Sequence, residues 1–327
     1  MRLAKHRMPA NRSKALEHLS RETRPVAESD APTRIDHIRR DRFIEHAGVQ
    51  PIKRRLLGLL GRPRTVRPQC VLLASEAGSG KTALLKHLQR LYPDRAERAG
   101  GRIVRAIIYS EVEPAPTLRG VQSGLLTELG APPIDIRPIH ARNDLIKRYL
   151  SEFDCQLVLF DEVQHLHALS LRDRIVLLDW MKWISTAGKA SVVISAATSD
   201  GRRLIEHDAQ LLTRFTEMAI PRFRTGVAFA QFLLTLERSM PLRRPSGVAR
   251  DSFQQAILDE SESMQTLRGL TDGVVKVVQE AAVAAVVTGQ ERIDLNLLGA
   301  WREGSEVSTI ASEGRKYETP ERASALA

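Results

Sequence analysis

Nothing in the 327-residue chain approaches a run of ~20 apolar residues, the length a helix needs to cross a bilayer, so no membrane span is expected. The opening residues, Met1-Arg2-Leu3-Ala4-Lys5-His6-Arg7, are basic but lack the apolar stretch of a secretory signal. Acidic residues soon follow at Glu17, Glu22 and Glu28, so the simplest expectation is a cytoplasmic protein. There are only two cysteines, Cys70 and Cys155, each at the leading edge of an apolar run. That placement suits small buried hydrophobes at the starts of core strands, not a disulfide or a redox pair. His165 and His167 have no third ligand at suitable spacing, which argues against a metal site there. No internal repeat is visible.

What is present is an apolar fraction of 43%, ordinary for a chain that buries a core, and a net charge of +10. The charge is segregated. Residues 1–70 hold 17 Lys/Arg against 7 Asp/Glu, whereas residues 71–327 hold 32 of each sign. A basic segment set apart from a neutral body points to a polyanionic partner, most commonly nucleic acid.

Five regions are expected. Residues 1–34, rich in charge and Pro, read as a flexible basic tail. Residues 35–68 read as a helical extension, with Ile38, Phe43, Ile44, Val49, Ile52, Leu56, Leu57 and Leu60 recurring at mixed spacings, three and four among them. Residues 69–222 alternate strands with helices: strands at 70–74, 103–109, 157–160, 191–197 and 217–220, helices at 82–91, 117–129, 142–153 and 172–186. That alternation implies a parallel sheet covered on both faces. Residues 223–302 read as a small helical domain and 303–327 as a disordered polar tail.

The chemistry concentrates at two places. Ser75-Glu76-Ala77-Gly78-Ser79-Gly80-Lys81-Thr82 follows a strand and opens a helix, the context of a phosphate-binding loop. Gly78 and Gly80 let the backbone N–H groups, including that of Ser79, wrap phosphates, and the helix N-terminus adds its positive end. Lys81 would reach the β- and γ-phosphates of ATP, and the Thr82 hydroxyl would bind Mg²⁺. Ser75 stands where such loops usually begin with glycine, a departure expected to weaken affinity. Some 80 residues on, Leu157-Val158-Leu159-Phe160-Asp161-Glu162 is an apolar strand ending in two carboxylates. Asp161 would hold Mg²⁺ through water, and Glu162 would act as general base toward the attacking water. After the fourth strand, Thr198 is placed to orient that water, with Ser195 and Ser199 as competitors. Arg214, closing Asp208-Ala209-Gln210-Leu211-Leu212-Thr213-Arg214-Phe215, is a candidate arginine finger toward a neighbouring subunit. Trp180 and Trp183 share a helical face and read as core. Arg268 and Lys276 are the candidate nucleotide sensors of the helical domain.

Together these elements resemble an AAA+ ATPase, and more narrowly the TniB/TnsC-like ATPases of bacterial DNA transposons. The resemblance runs from about Ile35 to Trp301. It rests on the basic helix before the first strand, on Gly78-Ser79-Gly80-Lys81-Thr82, and on Leu-Phe-Asp-Glu-Val-Gln-His-Leu at 159–166. It rests further on Ala197-Thr198, on the 208–215 segment, and most of all on Met240-Pro241-Leu242-Arg243-Arg244-Pro245-Ser246. The fold it implies is the AAA+ P-loop NTPase: α/β, strand order 5-1-4-3-2, then a helical lid. It also implies a homo-oligomer, ring or filament, assembled with ATP on double-stranded DNA. Such an assembly recruits a transposase, is itself recruited by a target-selection protein of the TniQ type, and comes apart on hydrolysis. Lys53, Arg54 and Arg55 are the expected DNA contacts, followed by Arg62, Arg64 and Arg67. The rival readings are a helicase-loader-type ATPase and a nucleotide-binding scaffold with little turnover.

Overall fold

The computed structural model describes residues 16–63, 67–96, 103–132, 138–206, 209–264 and 268–303; the side chains of residues 198–200, 209–210 and 300–303 also lie outside the description. The chain divides into two units, residues 47–221 and, discontinuously, the residues up to His46 with those from Arg222 onward.

The first unit is built on a sheet whose central strands, residues 70–74, 157–161 and 191–196, are mostly apolar and buried at every position, so both of their faces are covered. After helix α3 (Gln50–Leu57) come β1 (Cys70–Ala74), β4 (Ile107–Glu111), β5 (Leu157–Asp161), β6 (Ser191–Ala196) and β7 (Phe215–Met218). All pair in parallel, in the order β4-β5-β6-β1-β7. Between them run α4 (Lys81–Leu91), α5 (Leu118–Glu128), α6 (Ile139–Glu152), α7 (Leu171–Ala187), α8 (Thr198–Ile205) and α9 (Ala209–Arg214). On one face Leu72, Ile108, Val158, Phe160 and Ile194 pack with Leu125, Ile146, Met181 and Ile184 of the helices. Both cysteines are buried and free.

The α/β class is as expected, and the details differ: α8 was not expected, the last strand lies at Phe215–Met218 instead of 217–220, and one expected strand is broken. Residues 103–109, expected as a single strand, are split. Ile103–Val104 (β3) pairs antiparallel with Arg95–Ala96 (β2) in a separate ribbon, and the sheet strand begins only at Ile107. The five strands of the large sheet run 5-1-4-3-2 when counted alone and 7-1-6-5-4 when the ribbon is included. Arg105 lies at the break: its backbone N–H goes to Phe153 O (2.8 Å), not to a strand partner, and its guanidinium lies over the Phe153 ring (4.9 Å).

The second unit contains α1 (Thr23–Ala27), α2 (Ala31–Arg39), α10 (Val227–Arg238), α11 (Asp251–Ser263), α12 (Thr271–Val287) and a 3₁₀ turn at Asn296–Glu303. Here two expected boundaries are corrected. Residues 16–34, expected as flexible tail, fold as part of this unit, and the expected 35–68 extension is divided between the units after His46. Sparse apolar residues among the charges explain it. Ile35 and Ile38 are buried with Phe229, Phe232 and Leu236, while Leu16, Leu19 and Ala27 form a small cluster of their own. Asp30 accepts from Thr33 N (3.2 Å) and caps α2. Arg34, almost wholly buried, donates to Pro241 O (3.0 Å) and pairs with Glu291 through both terminal nitrogens.

His46 closes this segment, its ring 4.8 Å from that of Phe223 and 5.5 Å from that of Phe232. Burial pushes its pKa down to about 4, against a smaller opposing effect of Glu45. The unfolded chain therefore binds more protons below pH ~6.5, and folding stability is lost as pH falls through the window from ~6.5 to about 4. Between pH ~7 and pH ~5 the loss from this group is about 2 kcal/mol. Denaturation of wild type and His46→Phe at the two pH values should show that difference disappear in the variant. Equal pH-dependent losses in both would remove His46 as its source.

Candidate functional site

The site is assembled where β1 and β5 end on the same edge of the sheet. The Ser75 N–H continues the ladder to Ala196 O (3.2 Å), and the chain then turns through Gly78 (φ 76°) and Gly80 (φ 94°) into α4. Both glycines hold left-handed backbone that a side chain would strain. No side chain caps α4, which leaves its first N–H groups to an anion. Lys81, 9% exposed, donates from Nζ to Ser75 O (2.7 Å) and Glu76 O (3.0 Å), closing the loop on itself. Burial lowers the pKa of this ammonium, and the carboxylates of Asp161, Glu162 and Glu76 oppose that shift.

Ser75 has a role that glycine could not fill. Its backbone is not left-handed, and its buried hydroxyl accepts the N–H of Ile220 (2.7 Å) just beyond β7. The departure from the usual glycine thus fastens the start of the loop to the neighbouring strand's exit.

Asp161 is fully buried and accepts three hydrogen bonds. Thr82 Oγ1 (2.7 Å) and the Tyr109 hydroxyl (3.1 Å) donate to Oδ2, and the Glu162 N–H (3.0 Å) to Oδ1. Burial first, then the Asp161 charge, pushes the Tyr109 phenol upward, so it stays protonated and donating. A hydroxyl and a carboxylate in contact at a helix head are hard oxygen donors of the kind Mg²⁺ takes, so Thr82 and Asp161 fit that ion. Glu162 adopts left-handed backbone (φ 57°, ψ 31°), a conformation that costs a residue with a side chain about 1–2 kcal/mol. This turn sends the chain into the 3₁₀ segment Val163–Ala168, from which the Gln164 amide donates to Glu162 Oε2. His165 Nδ1 is bonded to Val112 O (2.7 Å), and among the described residues no group of three His, Cys, Asp or Glu is placed to hold a metal.

The structure therefore brings Ser75, Gly78, Ser79, Gly80, Lys81, Thr82, Asp161 and Glu162 to one place. The other expected residues stand differently. Thr198 begins α8 directly after β6, but its side chain, like that of Ser199, lies outside the described residues. Ser195 is buried in β6, one step beyond the Phe160–Ile194 pair and so level with Asp161, and its hydroxyl bonds to no described residue. Arg214 closes α9 and donates Nη2 to Ser185 Oγ (2.7 Å) and Thr186 Oγ1 (2.8 Å) at the end of α7, in its own chain. Lys53, Arg54 and Arg55 sit together on α3, with Arg54 exposed. Arg62 is held by Gly58 O (2.6 Å) and Gln69 Oε1 (2.8 Å), Arg67 is exposed, and Arg64 lies outside the described residues. Arg268 and Lys276, in the helical unit, pair with Asp259 (2.9 Å) and Asp272 (2.8 Å). Trp180 is core, its indole N–H donating to Asn143 Oδ1 (2.8 Å). Tyr109 and Gln164 were missed by sequence reasoning. The available signal was a tyrosine two residues before Glu111, whose strand position pairs with Asp161.

Residues 34–225, more than half of the chain, match the family model described as Bacterial TniB protein. No curated protein matches. Among solved structures, the chain is similar to Orc1 of Aeropyrum pernix in complex with DNA, at 15% identity and TM-score 0.54, over 88% of this chain and 72% of that one. It is also similar to Cdc6p of Pyrobaculum aerophilum, at 16% identity and TM-score 0.54, over 79% and 67%. Drosophila ORC bound to DNA gives 12% identity and TM-score 0.52, over 98% and 73%. At these identities the likeness speaks for the fold, which is the AAA+ one, and with the family model spanning the whole α/β unit and more than half of the chain, this chain belongs to the TniB family.

Proposed function

We propose that the chain is an ATP-hydrolysing regulator of DNA transposition, acting in the cytoplasm as a homo-oligomer on double-stranded DNA. The observation that carries the catalytic half is the Thr82–Asp161 hydrogen bond (2.7 Å) at the mouth of a loop closed by Lys81. In this reading the N–H groups of residues 78–82 receive the phosphates. Lys81 exchanges the carbonyls of Ser75 and Glu76 for phosphate oxygens, Thr82 and Asp161 hold Mg²⁺, and Glu162 accepts the proton of the attacking water. Bound Mg²⁺ would supply charge neutralisation at the phosphates. Thr198 orients the water from the β6 side, and Arg214 of one subunit serves the site of the next.

Membership of the TniB family supports the transposition half, and the likeness to proteins solved with DNA supports an association with DNA. On this reading the partners are a transposase and a target-selection protein of the TniQ type. The positive charge gathered before residue 70 supports duplex DNA as the platform. The test is duplex binding across a salt series with a non-hydrolysable ATP analogue. Affinity should need the nucleotide, show little sequence preference and fall with a log–log slope of about −0.9 per phosphate neutralised. Reversing Lys53, Arg54 and Arg55 to Glu should flatten that slope. Binding that ignores nucleotide would sink the assembly reading, and an unchanged slope would move DNA away from α3.

A further inference from the structure

The helical unit holds a concave site that the nucleotide chemistry does not use, a cavity of about 770 Å³. Its walls are residues 245–247, 250, 252 and 253, where a loop enters α11, and residues 292–296 after α12.

The site is rigidly built. The buried Glu237 carboxylate accepts the N–H groups of Ser246 (2.6 Å), Gly247 (2.8 Å) and Val248 (3.2 Å), which fixes the loop. Ser246 Oγ accepts the Ile293 N–H (2.9 Å) and joins the two walls. Gly247 is left-handed (φ +70°), and a Cβ there would lie 3.0 Å from Arg250 Nε, so glycine is what lets Arg250 fold back. Arg250 then donates to Gly247 O (3.1 Å) and Ser246 O (3.0 Å), with its guanidinium 5.2 Å from the centre of the Phe253 ring.

Arginines outnumber carboxylates on the cavity wall, where Arg250 and Arg292 stand against Asp294 alone. Asp294 is occupied by the N–H groups of Asn296 and Leu297 (3.1 Å each) and by the Gln290 amide. Asp251 accepts from Gln254 (3.1 Å). The exposed Arg292 side chain makes no hydrogen bond or ion pair with any described residue, and the same holds for Arg244, next to Pro245 in the chain. No side chain caps α11, whose first residues line the cavity. The lining also carries two exposed apolar side chains, Leu295 (49% exposed) and Pro245, the apolar strip of the site.

We propose that this groove docks a short acidic segment of a partner protein, one that sets a bulky apolar side chain beside its carboxylates. Arginine forks pair with carboxylates bidentately, and the strip covers the apolar neighbour. A nucleic-acid backbone would satisfy the arginines but leave Leu295 in water, so the peptide is the better complement. This inference does not depend on ATP hydrolysis and is tested apart from it.

A phage-displayed dodecapeptide library selected against the full chain is the probe. The expected consensus has two or more acidic residues flanking Leu, Phe or Trp. A labelled consensus peptide should bind wild type and lose about tenfold or more in affinity against Arg292→Glu. It should lose affinity against Leu295→Ser as well. Arg292 bonds to no described residue, so its variants should fold, and Arg292→Gln, with an unchanged melting curve, checks that directly. A consensus without acids, or affinity unchanged in Arg292→Glu and Leu295→Ser, overturns the proposal. So does a duplex DNA affinity that falls in Arg292→Glu while no peptide is selected, which would make the groove a nucleic-acid surface.

Discussion

Glu162→Gln is expected to bind ATP as tightly as the wild type while its turnover falls about 10²-fold or more, the usual worth of a positioned general base. The substitution keeps shape and removes only the ability to take the water's proton. The surroundings predict that the local structure survives. The Gln164 amide would still find an oxygen acceptor on the new side chain, and the left-handed turn at residue 162 rests on the backbone. Asp161 keeps both of its side-chain donors, Thr82 and Tyr109, so the metal-binding pair is untouched. Binding and hydrolysis should therefore separate cleanly. Equilibrium binding of a fluorescent nucleotide and phosphate release measured on the same preparation check this. If the protein assembles on DNA with ATP, the variant should accumulate there as a stalled complex. Turnover equal to wild type would take the role of base away from Glu162.

How far such residues could be read without a structure depended on how local their signals are. The strands were legible because runs such as Val71-Leu72-Leu73 and Val192-Val193-Ile194 have one stable environment, a sheet covered on both faces. The loop at 75–82 and the carboxylates at 161–162 were legible because each role demands a residue type at a fixed offset from a strand end. The rest depends on partners distant in sequence. Tyr109 reaches Asp161 across 52 residues, and Ser75 meets Ile220 across 145. No local pattern announces either bond. The segment before His46 misled for a related reason. In residues 16–34 the charge-rich composition resembles that of a solvated tail, yet Leu16, Leu19 and Ala27 cluster and the Arg34–Glu291 pair joins the segment to a residue 257 positions away. Helix α8 was missed because β6 passes into it with no loop that a sequence would show.

Arg214→Ala is expected to keep nucleotide binding by the single subunit and to lose about 10³-fold or more in turnover, the scale of an arginine finger supplied in trans. The structure makes the experiment sharper than the substitution alone, because Arg214 also has an intrachain role. Its Nη2 bridges Ser185 and Thr186, tying α9 to the end of α7. A merely structural arginine would lose activity through that tether, so the tether is removed from the other side. Ser185→Ala with Thr186→Val deletes both acceptors and leaves the guanidinium in place. On the finger reading this variant retains turnover, because Arg214 must leave those hydroxyls to reach a neighbouring site. Mixing supplies the second arm. Arg214→Ala subunits have an intact phosphate loop, Lys81→Ala subunits have an intact arginine, and neither hydrolyses alone. In mixtures, each interface that places the arginine of a Lys81→Ala subunit against the loop of an Arg214→Ala subunit should regain activity, peaking at intermediate ratios. No recovery at any ratio, together with a Ser185/Thr186 variant as inactive as Arg214→Ala, would assign Arg214 to the packing of α9 on α7 and leave the trans-acting group to be found elsewhere.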